Sequence, residues 1–182
     1  MISLRFFALA LASVACASKL NIRQATNTNA AIISIVDALD ISMHHSGPAI
    51  LTLQAQHKFS DITIGEQMLE LGAAFLKADV GLTKTQVSSG STTVSPTNDE
   101  ISITYSDVMQ LVSSSLSGVK GTGTVPHFPQ MVAVLDPIIA NTSLQLNTTS
   151  PGSLALVHRM MLDASQFLRA EGFNQTLAAL GF

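Results

Sequence analysis

The chain has 182 residues, nine Lys+Arg against twelve Asp+Glu, and a formal net charge of −3. Apolar residues make up 47% and charged residues 12%, about half the usual charged share of a soluble domain. This composition excludes a disordered polyelectrolyte and, with no Trp, one Tyr and no basic excess, a nucleic-acid binder.

Met1 to Arg5 carries one positive charge, Phe6 to Ala15 is apolar, and Ala15-Cys16-Ala17 puts small residues at the −3 and −1 positions of a cleavage site. The pattern predicts a signal peptide over residues 1–17 and hence a secreted protein. Its apolar run is too short to span a bilayer, and a lipidated Cys16 would need a Leu-like residue at Ser13. Cleavage removes the only cysteine. A disulfide framework, a thiol nucleophile and a thiolate zinc site are therefore excluded. No later apolar run is long enough for a transmembrane helix.

Residues 18–29 read as a polar leader and 30–182 as one helical domain. Ile32, Val36, Leu39 and Met43 take helical spacing, and Ser46-Gly47-Pro48 reads as a break before a second helical stretch, Ile50 to Phe59. His44 and His45 would then sit at a helix C-terminus. Asp61 to Val80 carries Ile64, Met68, Leu71 and Phe75 in register. Gly65 and Gly72 weaken that helix by roughly 1 kcal/mol each relative to Ala. Residues 83–97 hold nine Ser or Thr in fifteen positions and read as an exposed loop, a candidate for O-linked sugar.

Thr97 and Glu100 form a capping-box signature. It opens the clearest stripe of the chain, Ile101, Tyr105, Val108, Val112, Leu116 and Val119. Gly118 to Gly123 ends it. Phe128 to Leu146 is another helix, with Met131, Leu135 and Ile138 inward and Pro137 as a potential kink. Residues 148–152 read as a turn. Ser153 opens a last long helix through Leu154, Val157, Met161 and Leu168, stopping near Gly172. The fold class is all-α, a single antiparallel bundle of about five helices without disulfides.

Catalytic signatures are missing from the sequence. There is no Gly-x-Ser-x-Gly elbow, and no two histidines lie four apart as a helical metal pair requires, so no metal site is expected. The Gly118–Gly123 segment lacks the Gly-Lys-Ser/Thr order of a phosphate loop. Asp37/Asp40 and Glu66/Glu70 read as solvated helix faces. No cofactor is expected. Asn141, Asn147 and Asn174 each open a glycosylation sequon. Asn147, placed in the predicted turn, is the best acceptor, and Asn141, within a helix, reads as buried. The remaining signal is an apolar surplus. Methionines fill and line adaptable apolar space, and Leu69, Leu76 and Val134, among others, lie off the main stripes. Met68, Phe75, Met109, Val112, Leu135, Ile139 and Met161 are the candidate lining of an apolar pocket.

Four stretches carry a family likeness: Ile35-Val36-Asp37-Ala38-Leu39-Asp40, Ile50-Leu51-Thr52-Leu53-Gln54, Glu100 to Val119, and Met131 to Leu146 around Leu135-Asp136-Pro137-Ile138-Ile139. With the signal peptide and the cysteine-free helical pattern, the region from Ile32 to Phe173 resembles the fungal hydrophobic surface-binding protein A family, which includes cell-wall galactomannoproteins. The resemblance implies a non-catalytic secreted or wall-associated protein that adsorbs to hydrophobic surfaces, helps recruit extracellular hydrolases, or holds fatty-acid-like lipids between helices. The competing expectations are a passive structural wall glycoprotein and a helical inhibitor or effector of an extracellular enzyme.

Overall fold

A computed structural model describes residues 26–182. The expected signal peptide and most of the expected polar leader lie outside the described residues. The fold is all-α, with no strand among the described residues. Four long helices, α1 (Asn29–Ala55), α2 (Asp61–Lys84), α3 (Asn98–Leu116) and α5 (Phe128–Thr149), form the frame. A single turn, α4 (Val119–Thr122), links α3 to α5, and three short helices, α6 (Ser153–Met160), α7 (Ser165–Glu171) and α8 (Asn174–Leu180), complete the chain. The bundle thus has more helical elements than the five expected.

Helix α1 packs between α2 and α3, and α2 packs on α5. The C-terminal helices close the other side, α6 and α7 against α3 and α8 against α5. One core runs through the bundle, with Tyr105, Phe75, Phe128 and Phe173 its largest fully buried side chains. The Tyr105 hydroxyl meets Ser143 Oγ at 2.7 Å, and burial pushes the Tyr105 phenol above its usual range.

Several boundaries differ from the sequence reading. Helix α1 does not break at Ser46-Gly47-Pro48 and has no separate second segment. Pro48 lies inside one continuous helix. The ring removes one main-chain hydrogen bond and crowds the preceding turn and residue, and the burial of Met43 and Ile50 on either side of it in one core outweighs that cost. A Cβ at Gly47 would stand 3.9 Å from Leu111 and Ser115 of α3. His44 and His45 are consequently mid-helix. The helix ends at Ala55 in a Schellman turn, with Lys58 N–H donating to the Leu53 carbonyl and His57 in the left-handed region at φ 55°. Pro137 likewise leaves α5 as one helix.

The last helix is interrupted at residues 161–164. The Ser165 hydroxyl donates to the Leu162 carbonyl at 2.9 Å, a local bond that favours a turn. Helix α8 was not foreseen. Its N-terminus is capped from a distance by the Asp136 carboxylate, which accepts from the Gln175 and Thr176 amides at 2.8 and 2.7 Å.

The Thr97/Glu100 box forms as read. Glu100 N–H donates to Thr97 Oγ1 and Thr97 N–H to Glu100 Oε2. An unread second box, Ser60 with Thr63, opens α2. The Ser/Thr-rich connection is mostly exposed but anchored. Ser88 is buried and donates to Asn29 Oδ1 at 2.6 Å, and Asn29 Nδ2 donates to Pro96 O and Asn98 Oδ1. The end of the polar leader is therefore built into the bundle, not loose.

Candidate functional site

Two faces of α2 define the most prominent concavity. Ile64, Met68, Leu71, Phe75, Ala78 and Leu82 turn into the core. Ile62, Leu69, Leu76 and Val80 follow the same seven- and four-residue spacing on the outside and stay exposed, Leu69 at 75%. Between these stripes lie Gly65, Gly72 and Ala73, where α2 presents almost no side chain. Helix α5 faces this strip with Met131, Val134, Leu135 and Ile138. The result is a solvent-open groove of about 650 Å³ between α2 and α5, apolar over nearly its whole lining. Its span from Gly65 to Leu76 is roughly 16 Å at 1.5 Å per residue.

The glycines make the groove. A Cβ at Gly72 would lie 3.7 Å from Leu135 Cδ1 and 3.8 Å from Ile138 Cδ1, and one at Gly65 would lie 3.4 Å from Met131 Cε. Alanine would fit on both floors, while a larger side chain would occupy the groove. The sequence reading took these positions as weak points of the helix. Their spacing, seven apart and flanked by Leu69 and Leu76, was the available signal.

His127 and Gln130 lie at the Gly65 end and supply its polar groups. His127 Nδ1 is 2.7 Å from Asp61 Oδ2, and the His127 amide donates to Asp61 Oδ1 at 3.0 Å. These bonds hold the Asp61 carboxyl below its usual range and tie the start of α5 to the start of α2.

Of the candidate pocket residues, Met68 and Leu135 line this groove. Phe75, Met109, Val112, Ile139 and Met161 are fully or almost fully buried in the common core. The concavity is thus an open cleft along a helix seam. His127, Gln130, Met131 and Ile138 join the site only through the fold.

All three sequon asparagines are exposed and helical. Asn141 is exposed, not buried, and Asn147 lies in α5, not in a turn. The third residue of each sequon is buried and engaged: Ser143 with Tyr105, Thr149 with the Gln145 carbonyl, and Thr176 with the Asp136 carbonyl. The Gly118–Gly123 segment holds the protein's own anion, since the Glu171 carboxylate accepts from the Gly118 and Lys120 amides at 2.8 and 3.1 Å.

On the α1/α3 side, His44 stands between Asp40 and Asp107. Burial raises the Asp40 carboxyl above its usual range, opposed by His44 and reinforced by Asp107 and Asp37. The bond to the Asp40 carbonyl, with the Asp40 carboxylate next, raises His44. No helix among the described residues is long and apolar enough to cross a membrane.

A scan against protein-family models gave no match to the chain, and a search of curated proteins gave none either.

Proposed function

We propose that this chain is a secreted, non-catalytic protein that binds hydrophobic surfaces and fatty-acid-like lipids at or near a fungal cell wall, with the α2/α5 groove as its acyl site. The observation that carries the reading is the apolar groove itself, whose volume falls within the range of small-molecule sites. An acyl chain laid along it would gain about 25 cal/mol for each Å² of apolar surface withdrawn from water. Met68 and Met131 give the lining adaptable walls. His127 and Gln130 offer hydrogen bonds to a polar head at one end only, the asymmetry that an amphiphile requires. The exposed stripe Ile62, Leu69, Leu76 and Val80 supports adsorption to an extended apolar surface through the same helix. Recruitment of extracellular hydrolases, which the family resemblance implies, would start from that adsorbed state.

Native mass spectrometry of the delipidated protein with a long-chain fatty acid tests the acyl site. One bound acid per chain is expected, and Gly72→Leu should abolish it by filling the floor. A chain that takes up no acid, or a Gly72→Leu variant that takes it up as before, would overturn the assignment.

A further inference from the structure

We infer that Asp40, His44 and Asp107 form a surface site for one divalent metal ion of the zinc class, bridging α1 and α3. Asp40 and His44 are four residues apart and share one face of α1, and Asp107 reaches them from α3. One ligand atom from each lies within 4.8 Å of the other two.

The internal bonding of the cluster points to an ion. His44 Nδ1 donates to the Asp40 main-chain carbonyl at 3.1 Å. That bond fixes the tautomer and leaves the Nε2 lone pair outward, the arrangement by which metal-ligating histidines are oriented. Nε2 stands 3.6 Å from Asp107 Oδ2. This is too long for a hydrogen bond, but it is near the ~3.4 Å that separates two ligands each ~2.0–2.1 Å from a tetrahedral zinc ion. Asp40 Oδ1 is shut off from solvent and makes no hydrogen bond; His44 Nδ1, whose proton goes to the Asp40 carbonyl, stands 3.4 Å from it. A buried carboxylate oxygen with only that one long contact is costly, and a cation would satisfy it. An imidazole with two carboxylates suits zinc better than calcium or magnesium, which prefer oxygen alone. Three protein ligands leave a fourth position for water. The cluster lies on the α1/α3 seam, away from the α2/α5 groove, so it stands or falls independently of lipid binding.

The test is calorimetric titration of the full chain, stripped with chelator, with zinc chloride at about pH 8, where the raised His44 is less able to hold a proton against the metal. One equivalent should bind, and Co²⁺ in its place should show the visible absorption of a low-coordinate site. His44→Gln and Asp107→Asn should each weaken binding at least tenfold. Asp107→His, which keeps a ligand, should retain it. His45→Gln, at the exposed α1 histidine beside the cluster, should leave zinc binding unchanged. His44 and Asp107 are half exposed, so the variants should fold, and their metal-free melting should match the parent. No saturable heat with zinc, calcium binding as tightly as zinc, or unchanged zinc affinity in His44→Gln and Asp107→Asn would overturn the site.

Discussion

The α1/α3 and α2/α5 seams are both built around glycines, yet one is closed and the other open. At Gly47 the facing helix supplies Leu111 and Ser115, which come within 4 Å of where a Cβ would stand. Buried Ser113 and Ser115 let α3 lie close there. At Gly65 and Gly72 a Cβ would be no farther from the facing helix, 3.4 to 3.8 Å, but it would meet only the side-chain tips of Met131, Leu135 and Ile138, which wall an open groove, whereas at Gly47 it would meet the Cβ atoms of Leu111 and Ser115. The α3 backbone therefore lies close to α1 at Gly47, while long side chains hold α5 off from α2 at Gly65 and Gly72. The residue opposite decides which.

The largest expected effect separates core from cleft. Phe75 is fully buried, two residues from the groove residue Ala73. Phe75→Ala should cost about 3–5 kcal/mol by the transfer and cavity terms together. Leu69→Ser, on the exposed rim, should change stability by less than ~0.5 kcal/mol while weakening adsorption to a hydrophobic surface. Denaturant unfolding and adsorption isotherms on both variants check this. Equal losses of stability would mean that Leu69 is packed and the groove closed.

The same substitution at the two seams comes next. Gly47→Leu should destabilise by about 1–3 kcal/mol, because the seam has no room for a large side chain. Gly72→Leu should be close to neutral or stabilising, since it removes a helical glycine worth roughly 1 kcal/mol and puts its side chain into the groove, in ordinary contact with Leu135 and Ile138. Thermal melts of the two variants rank them directly, and the opposite ranking would break the contrast between the seams.

How much of this was legible differs by element. The stripe and cap of α3 were readable because both are local: Thr97 and Glu100 are three residues apart, and Ile101 to Leu116 repeat at helical spacing. Pro48 reads as a break because its cost is local, whereas what holds the helix continuous, the burial of Met43 and Ile50 on either side of it, is tertiary. The interruption at residues 161–164 was invisible because Met161 and Leu168 stay seven apart and both buried across it. Helix α8 depends on Asp136, nearly forty residues away. The groove was half legible. Met68 and Leu135 were named, but the meaning of Gly65 and Gly72 depended on which helix stands opposite. Asp40 and His44 read as a solvated face and a helix end, because Asp107, which faces them, lies on another helix.

The smallest effect is in acid, where two carboxylates near the surface titrate, one within the cap of α3 and one between α2 and α5. Glu100 holds the cap of α3, and the Thr97 amide, then Ser95, keep its carboxyl below the ordinary 4.5. Asp61 ties α2 to α5 through His127 and is held below the ordinary 3.8. Both are lower when folded than when unfolded, so the native state binds fewer protons. The stability they lend is fully present above those ordinary values and is lost as pH falls through the depressed folded values. Glu100→Gln keeps an amide oxygen for the Thr97 amide but cannot titrate, and Asp61→Asn does the same beside His127. Each variant should be less stable than the parent at pH 6, and each should lose less than the parent between about pH 5 and pH 2.5. At pH 6 the Glu100 variant should show faster amide exchange in the first turn of α3 alone, and the Asp61 variant at the paired starts of α2 and α5. Parallel pH profiles for parent and variants would mean that both carboxylates are fully screened and that the α2/α5 seam is held by packing alone.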